Sequence, residues 1–241
     1  RVLLESYRRT SGVMNYVRLI NGAFSTKPTS EWEEPDPIPW QAVMGREGNI
    51  YETYDEFMEA EGHRDWPSIA VYFYRDEWIM GDIEYQQALF EEIYKHQYNP
   101  IIFYGQYGSN PRVGIPNMKL SMNHLFGKDE FPFDVLINTC KFSFQSLGAQ
   151  TLEELKLQDV PIVQGYTIYM DEKSWAENPQ GVTPLDVNLS ISQPELDGVI
   201  QGGVVACQTY DERGHYVYLP VKERIAAIVQ RAIKWSTLRH I

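Results

Sequence analysis

The sequence predicts an α/β domain on a doubly wound, mainly parallel sheet, with an extra N-terminal helical segment and a C-terminal hairpin plus helix. Three observations carry that expectation. Ile69–Tyr74, Ile101–Tyr104, Phe133–Asn138 and Pro161–Val163 are short, largely apolar runs, the pattern of strands buried on both faces. Segments with apolar residues at helical spacing lie between most of them, which favours parallel pairing. The chain has 241 residues, 43% of them hydrophobic and 13% aromatic, enough to bury a sizeable core and too apolar for a disordered chain.

From the N-terminus, Leu4, Tyr7, Met14, Val17 and Ile20 recur at a loose helical period between Leu3 and Phe24. Pro28, Pro35, Pro37 and Pro39 forbid a regular helix or inner strand, so Lys27 to Pro39 reads as an extended connector. Tyr51 to Asp65 is acidic, with Phe57 and Met58 on one side, and reads as a short solvated helix. Residues 1–67 are thus expected to pack as a helical and extended segment on a core of residues 68–241. That core opens with the strand at Ser68–Tyr74. Asp82 reads as an N-cap for a helix to about Gln97, with Leu89, Phe90, Ile93 and Tyr94 inward. Asn99-Pro100 ends that helix, and the second strand follows.

A Gly- and Pro-rich loop, Gly105 to Pro116, leads to a weaker helix at Asn117–Phe126 and the third strand. Thr151-Leu152-Glu153-Glu154 has the form of a capping box for a short helix before the fourth strand. Thr183-Pro184 then supplies an N-cap and a first-turn Pro for a helix to about Ile191. Val204–Ala206 and Val217–Leu219 flank a turn at Asp211–Gly214, a hairpin pattern. Ile225, Ile228, Val229, Ala232 and Trp235 fall on one stripe of a final helix. This alternation has flavodoxin-like size, with right-handed crossovers expected.

Composition excludes several functions. With 33 acidic against 21 basic residues the net charge is -12, which repels phosphate backbones and argues against nucleic acid as a partner. No apolar run approaches the roughly 20 residues of a membrane span. Two cysteines, Cys140 and Cys207, are too few for a disulfide framework. They read as reduced thiols of a cytoplasmic protein. The start, Arg1-Val2-Leu3-Leu4-Glu5, has no secretory pattern, and the chain reads as a piece of something longer. No P-loop occurs, Arg75–Gly81 lacks the dinucleotide glycines, there is no Gly-x-Ser-x-Gly elbow, and the five His are never paired at metal-binding spacing.

Ligands of open parallel sheets sit at the carboxyl ends of the strands. That edge gathers Tyr74, Arg75, Glu77 and Trp78; Gly105, Gln106 and Tyr107; Asn138, Cys140 and Lys141; and Gly165 and Tyr166. A cationic, aromatic rim suits a flat anionic ligand, although an ordinary solvated loop edge has the same composition. Cys140 reads as a ligand, a nucleophile or small filler. In Pro194-Glu195-Leu196-Asp197-Gly198 two carboxylates flank one apolar residue. Such a pair serves a cation or a proton, or only closes a turn.

A resemblance extends this reading. The run Gln193-Pro194-Glu195-Leu196-Asp197-Gly198-Val199-Ile200 and the final helix with Arg231-Ala232-Ile233-Lys234-Trp235 resemble the large subunit of tetrapyrrole metal chelatases. That family comprises the cobaltochelatase CobN and the H subunit of magnesium chelatase. Tyr72-Phe73-Tyr74-Arg75 with Trp78, Gly81 and Asp82, then Asp159-Val160-Pro161-Ile162 and Ser174-Trp175, are similar too. The resemblance runs from about Tyr7 to the end. It implies an internal domain of a much longer subunit that binds a corrinoid or porphyrin and inserts a divalent metal, while separate AAA+ subunits hydrolyse ATP. Cobalt is the preferred metal and magnesium the alternative, because Gly105 to Phe144 departs from the magnesium-type sequence. Under this resemblance the tetrapyrrole candidates are Tyr74, Arg75, Glu77, Trp78, Asn138, Lys141, Glu195 and Asp197. Many relatives carry His where this chain has Glu77. The competing expectations are a scaffold domain that touches no ligand, or an unrelated flavodoxin-like small-molecule module.

Overall fold

The computed structural model describes residues 3–4, 6–7, 12–106, 114–127 and 130–241, with backbone alone described at 13 and 145–151. Its centre is an eight-stranded sheet in the order β2-β1-β4-β3-β5-β6-β7-β8. The strands are β1 (Ala42–Met44), β2 (Ile50–Tyr51), β3 (Ser68–Tyr74), β4 (Asn99–Gly105), β5 (Val135–Asn138), β6 (Ile162–Ile168), β7 (Ile200–Tyr210) and β8 (Tyr216–Pro220). The five strands from β3 to β7 pair in parallel, whereas β1, β2 and β8 close the two edges antiparallel. The chain is therefore an α/β fold with a mixed, mostly parallel sheet.

Among the parallel strands, β3, β4, β5 and β6 are buried along almost their whole length without alternation, because both faces are covered, whereas β7 is buried only at its middle. The helices are α1 (Val13–Phe24), α2 (Tyr54–Ala60), α3 (Arg75–Met80), α4 (Glu84–Lys95), α5 (Met118–Phe126), α6 (Phe144–Leu157), α7 (Glu172–Glu177), α8 (Pro184–Asp186), α9 (Gln193–Leu196) and α10 (Lys222–Arg239). Helix α4 packs on β4 and on α10, and α10 in turn covers β5, β6 and β7. Helices α5 and α6 pack on one another. Phe126 of α5 sets its ring edge-on to Phe103 of β4 at 5.1 Å and to Phe133 at 5.4 Å.

Several expectations change on contact with the fold. β1 and β2, which fall mostly between the proline-rich connector and the acidic helix, where the sequence predicts no element, hydrogen-bond into the sheet; runs of three and two residues are too short to show a period. Asp82 does not cap α4. Its carboxylate accepts from the backbone N–H of Tyr218 at 3.0 Å and so covers a donor of the edge strand β8. The capping-box segment lies inside α6, which begins seven residues earlier at Phe144. Thr183 does cap, accepting from the Asp186 N–H. The helix it starts runs on through a π-helical turn, Val187–Ser192, into α9. The predicted hairpin is present but longer, and its first strand extends the parallel sheet. Gly202 makes that pairing possible. It is the extra residue where β7 bulges against β6, and a Cβ there would sit 2.5 Å from the Gln164 carbonyl oxygen.

Candidate functional site

Counted from β3, the parallel strands run 2-1-3-4-5, so the order reverses between β3 and β5. Tyr72 of β3 is in register with Asn138, the last residue of β5, and β3 runs on to Tyr74. Tyr74 to Glu77 therefore emerge beside Thr139 to Lys141. A crevice at such a reversal is where open α/β sheets hold ligands. The two exits are tied together: the Tyr74 hydroxyl accepts from the Lys141 N–H at 2.8 Å and donates to the Lys141 carbonyl at 3.0 Å.

Glu77 stands at this reversal on the first turn of α3. Its Oε2 accepts from the Tyr85 hydroxyl at 2.6 Å and from Gln86 Nε2 at 2.7 Å. The Tyr85 hydroxyl also lies 3.2 Å from Thr139 Oγ1, which donates to the Tyr72 carbonyl at 2.9 Å. Burial pushes the Glu77 carboxyl up to about 8; the Tyr85 hydrogen bond and the Lys141 charge resist that rise, and Asp82 adds to it. Lys141 is 5% exposed. Burial brings its ammonium down to about 8 against the opposing charges of Asp186 and Glu77. An acid displaced upward and a base displaced downward, on neighbouring strand exits and within each other's field, is a pattern found in proton-handling sites.

Other candidates have different work. Arg75 is 2% exposed; its Nε donates to the Pro39 carbonyl at 2.8 Å and its Nη2 to the Ile38 carbonyl at 3.2 Å, with the guanidinium 4.5 Å from the Trp40 ring centre. It binds the proline-rich connector. Trp78 donates from Nε1 to the Gly48 carbonyl at 2.9 Å and stacks on Tyr104 at 5.5 Å, so it covers the β1 edge of the sheet. Trp78→Ala is expected to cost about 2–4 kcal/mol of stability, checked by the urea midpoint. Asn138 is wholly buried, donating to Gln164 Oε1 and to the Cys140 carbonyl, and it shapes the loop that carries Lys141. Asp197 accepts from the Ser143 hydroxyl at 2.9 Å and from the Phe144 N–H, and so caps α6 from a distant part of the chain. Glu195 is exposed and takes no part in this.

The remaining rim residues divide similarly. Gly165 and Tyr166 lie inside β6, which continues to Ile168, so the true end of that strand is at Tyr169. Tyr107 lies outside the described residues. Cys140 is fully buried, and burial raises its thiol well above the ordinary value, which makes it filler rather than nucleophile. Cys140 and Cys207 are not bridged. Among the described residues no three His, Cys, Asp or Glu side chains gather as a metal site, and no helix is long and apolar enough to cross a membrane. The residues that sequence reasoning missed are Tyr85, Gln86, Asp186 and Tyr169. Gln86 carried a signal, since it sits on the stripe of Leu89, Phe90 and Ile93 and is 0% exposed; a polar residue there needs a buried partner.

The model of the CobN/magnesium chelatase family matches residues 5–241. The chain belongs to that family. The flavodoxin-like module unrelated to it is thereby excluded. An uncharacterized protein of Methanocaldococcus jannaschii, MJ0908, is 28% identical over 225 residues, which is 87% of this chain and 18% of that protein. The aerobic cobaltochelatase subunit CobN of Pseudomonas aeruginosa is 23% identical over 216 residues, 86% of this chain and 16% of the subunit. The catalytic subunit of cobaltochelatase from Mycobacterium tuberculosis has a similar fold over 100% of this chain and 19% of its own, with a TM-score of 0.72 at 22% identity. This chelatase-family chain therefore spans less than a fifth of the relatives it matches.

Proposed function

We propose that this chain acts as a domain of a tetrapyrrole metal chelatase large subunit, holding the edge of a corrinoid or porphyrin at the reversal between β3 and β5 while a divalent metal is inserted. Cobalt is the preferred metal and magnesium the alternative, both as substrates. The observation that carries this reading is Glu77 at the β3 exit beside the reversal, held by Tyr85 and Gln86, with a carboxyl pushed up to about 8. Insertion requires two pyrrole N–H protons to leave, and a carboxylate with a pKa near the working pH is suited to accept one. Tyr85 and Gln86 hold the same oxygen of Glu77, which fixes its orientation. The parallel strand order fits the doubly wound, flavodoxin-like class, whose crevice takes flat ligands. Residues 68–241 would form the core domain, with residues 1–67 joined to it by the pairing of β1 with β4 and by the Arg75 contacts. ATP would be hydrolysed by separate AAA+ subunits in the cytoplasm, consistent with a sequence that has no P-loop.

The test is cobalt insertion into a metal-free corrinoid, followed by absorbance, using the complete large subunit with its ATPase partners. Glu77→Gln is expected to slow insertion about 10²-fold. Insertion at the wild-type rate by that variant would end this role for Glu77. A second reading, a scaffold that touches no ligand, is favoured by Arg75, Trp78, Asn138 and Asp197, all of which are engaged in internal contacts. It predicts unchanged macrocycle affinity in both Glu77→Gln and Lys141→Met.

A further inference from the structure

Helix α1 is amphipathic, but the fold sets it with the polar face inward. Asn15 is 2% exposed, its Nδ2 donating to the Asp36 carbonyl at 2.9 Å and its Oδ1 accepting from the Asp36 N–H at 2.8 Å. Arg18, one turn on, pairs with Asp36 at 2.5 Å and with Glu33 at 3.2 Å. Gly22, a further turn along, lies so close to Trp32 that a Cβ would come within 2.7 Å of the indole. The opposite face carries Met14, Val17, Ile20 and Phe24, all exposed, Met14 by 64% and Phe24 by 88%. A surface helix ordinarily sends its apolar stripe to the core and its polar side to water. A contiguous exposed apolar stripe marks a contact with another surface.

Three features of this face select its occupant. It is uncharged, because the one charged side chain of α1, Arg18, is turned away and paired with Glu33 and Asp36. A lipid-binding helix carries Lys or Arg beside its apolar side, and a chain of net charge -12 is repelled by an anionic leaflet. The face is also short. A helix of 12 residues spans about 18 Å, so pairing it with its own copy would bury well under the roughly 800 Å² per partner of a stable interface. And it has relief: a hollow of about 240 Å³ opens beside Met14, with Ile38, Trp78 and Ile79 on its walls, a socket for an apolar side chain. This chain spans less than a fifth of the relatives it matches. Resting on the reading of the chain as a domain of the large subunit, we infer that the Met14–Phe24 face of α1 docks on an uncharged apolar surface from another part of that subunit. An apolar side chain of that surface fills the hollow beside Met14.

The test compares hydrogen exchange of the α1 amides, read by mass spectrometry, in this chain and in the complete large subunit. Exchange is expected to be about tenfold slower or more in the complete subunit. The double variant Val17→Gln, Ile20→Gln should abolish that gain and leave the urea midpoint of this chain unchanged, because both side chains already face water. The wild-type comparison decides the matter even if the double variant does not fold. Equal exchange in the two forms overturns the proposal, as does a gain that the double variant keeps. A dimer of this chain in light scattering that the variant dissolves also overturns it and makes a second copy the occupant. Sedimentation of the chain with phosphatidylglycerol vesicles overturns it in favour of a lipid surface. None of these readouts needs a macrocycle or a metal, so a failure of the chelatase reading at Glu77 leaves them intact and the two failures are distinguishable.

Discussion

Glu77→Gln is expected to raise stability at pH 8 by about 1–3 kcal/mol and to remove much of the pH dependence between pH 5 and 8. In the unfolded chain Glu77 loses its proton near 4.5, in the folded chain at about 8. Between those values the folded chain holds one more proton than the unfolded one, so stability falls as pH rises. Lys141 acts in the next window. Its folded value of about 8 lies below the ordinary 10.5, so from pH 8 to 10.5 the unfolded chain holds the extra proton and stability climbs. Their combined contribution passes through a minimum near pH 8, while the raised thiols of Cys140 and Cys207 pull stability down as pH rises above 9. Gln retains an oxygen that can accept from Tyr85 and Gln86, so the variant removes the charge and keeps the bonds. Urea midpoints from pH 5 to 10 decide it: a difference between the two proteins that does not change across pH 5–8 refutes the shift.

Asp197→Ala is expected to cost about 2–4 kcal/mol, while Glu195→Ala stays within about 0.5 kcal/mol of wild type. Asp197 is 3% exposed and holds the first N–H of α6 together with the Ser143 hydroxyl. Removing it leaves the Phe144 amide unpaired in the interior. Glu195, two residues earlier in the same acidic turn, is exposed. Denaturant midpoints measured at one pH separate the two variants. Equal losses would mean that the turn acts as a unit, against the assignment of Asp197 as a distant cap.

Much of the sheet was legible because its central strands are buried on both faces, and uninterrupted apolar runs such as Ile69–Tyr74 allow few other structures. The C-terminal helix was legible for a related reason: its buried residues Ile225, Ile228, Val229 and Ala232 repeat at the helical period. The edge strands were not. β1 and β2 carry too few residues for any period, and their place depends on pairing with β4. Arg75 and Trp78 have the chemistry of ligand-binding side chains, and nothing local reveals that the partners of Arg75 are carbonyls 36 and 37 residues away.

The site divides along the same line. Residue types and order alone determined that Glu77 and Lys141 would stand at strand ends, because each follows a run that has no choice but to be a strand. They also determined the family, through motifs spread from Tyr72 to Trp235. Only the tertiary structure decided that β3 and β5 are neighbours, that Asp186 and Tyr169 close around Lys141, and that Tyr85 and Gln86 clasp Glu77. The physical reason is that burial and partner geometry shift a proton equilibrium. Both arise where segments distant in the chain meet, so no local stretch of sequence contains them.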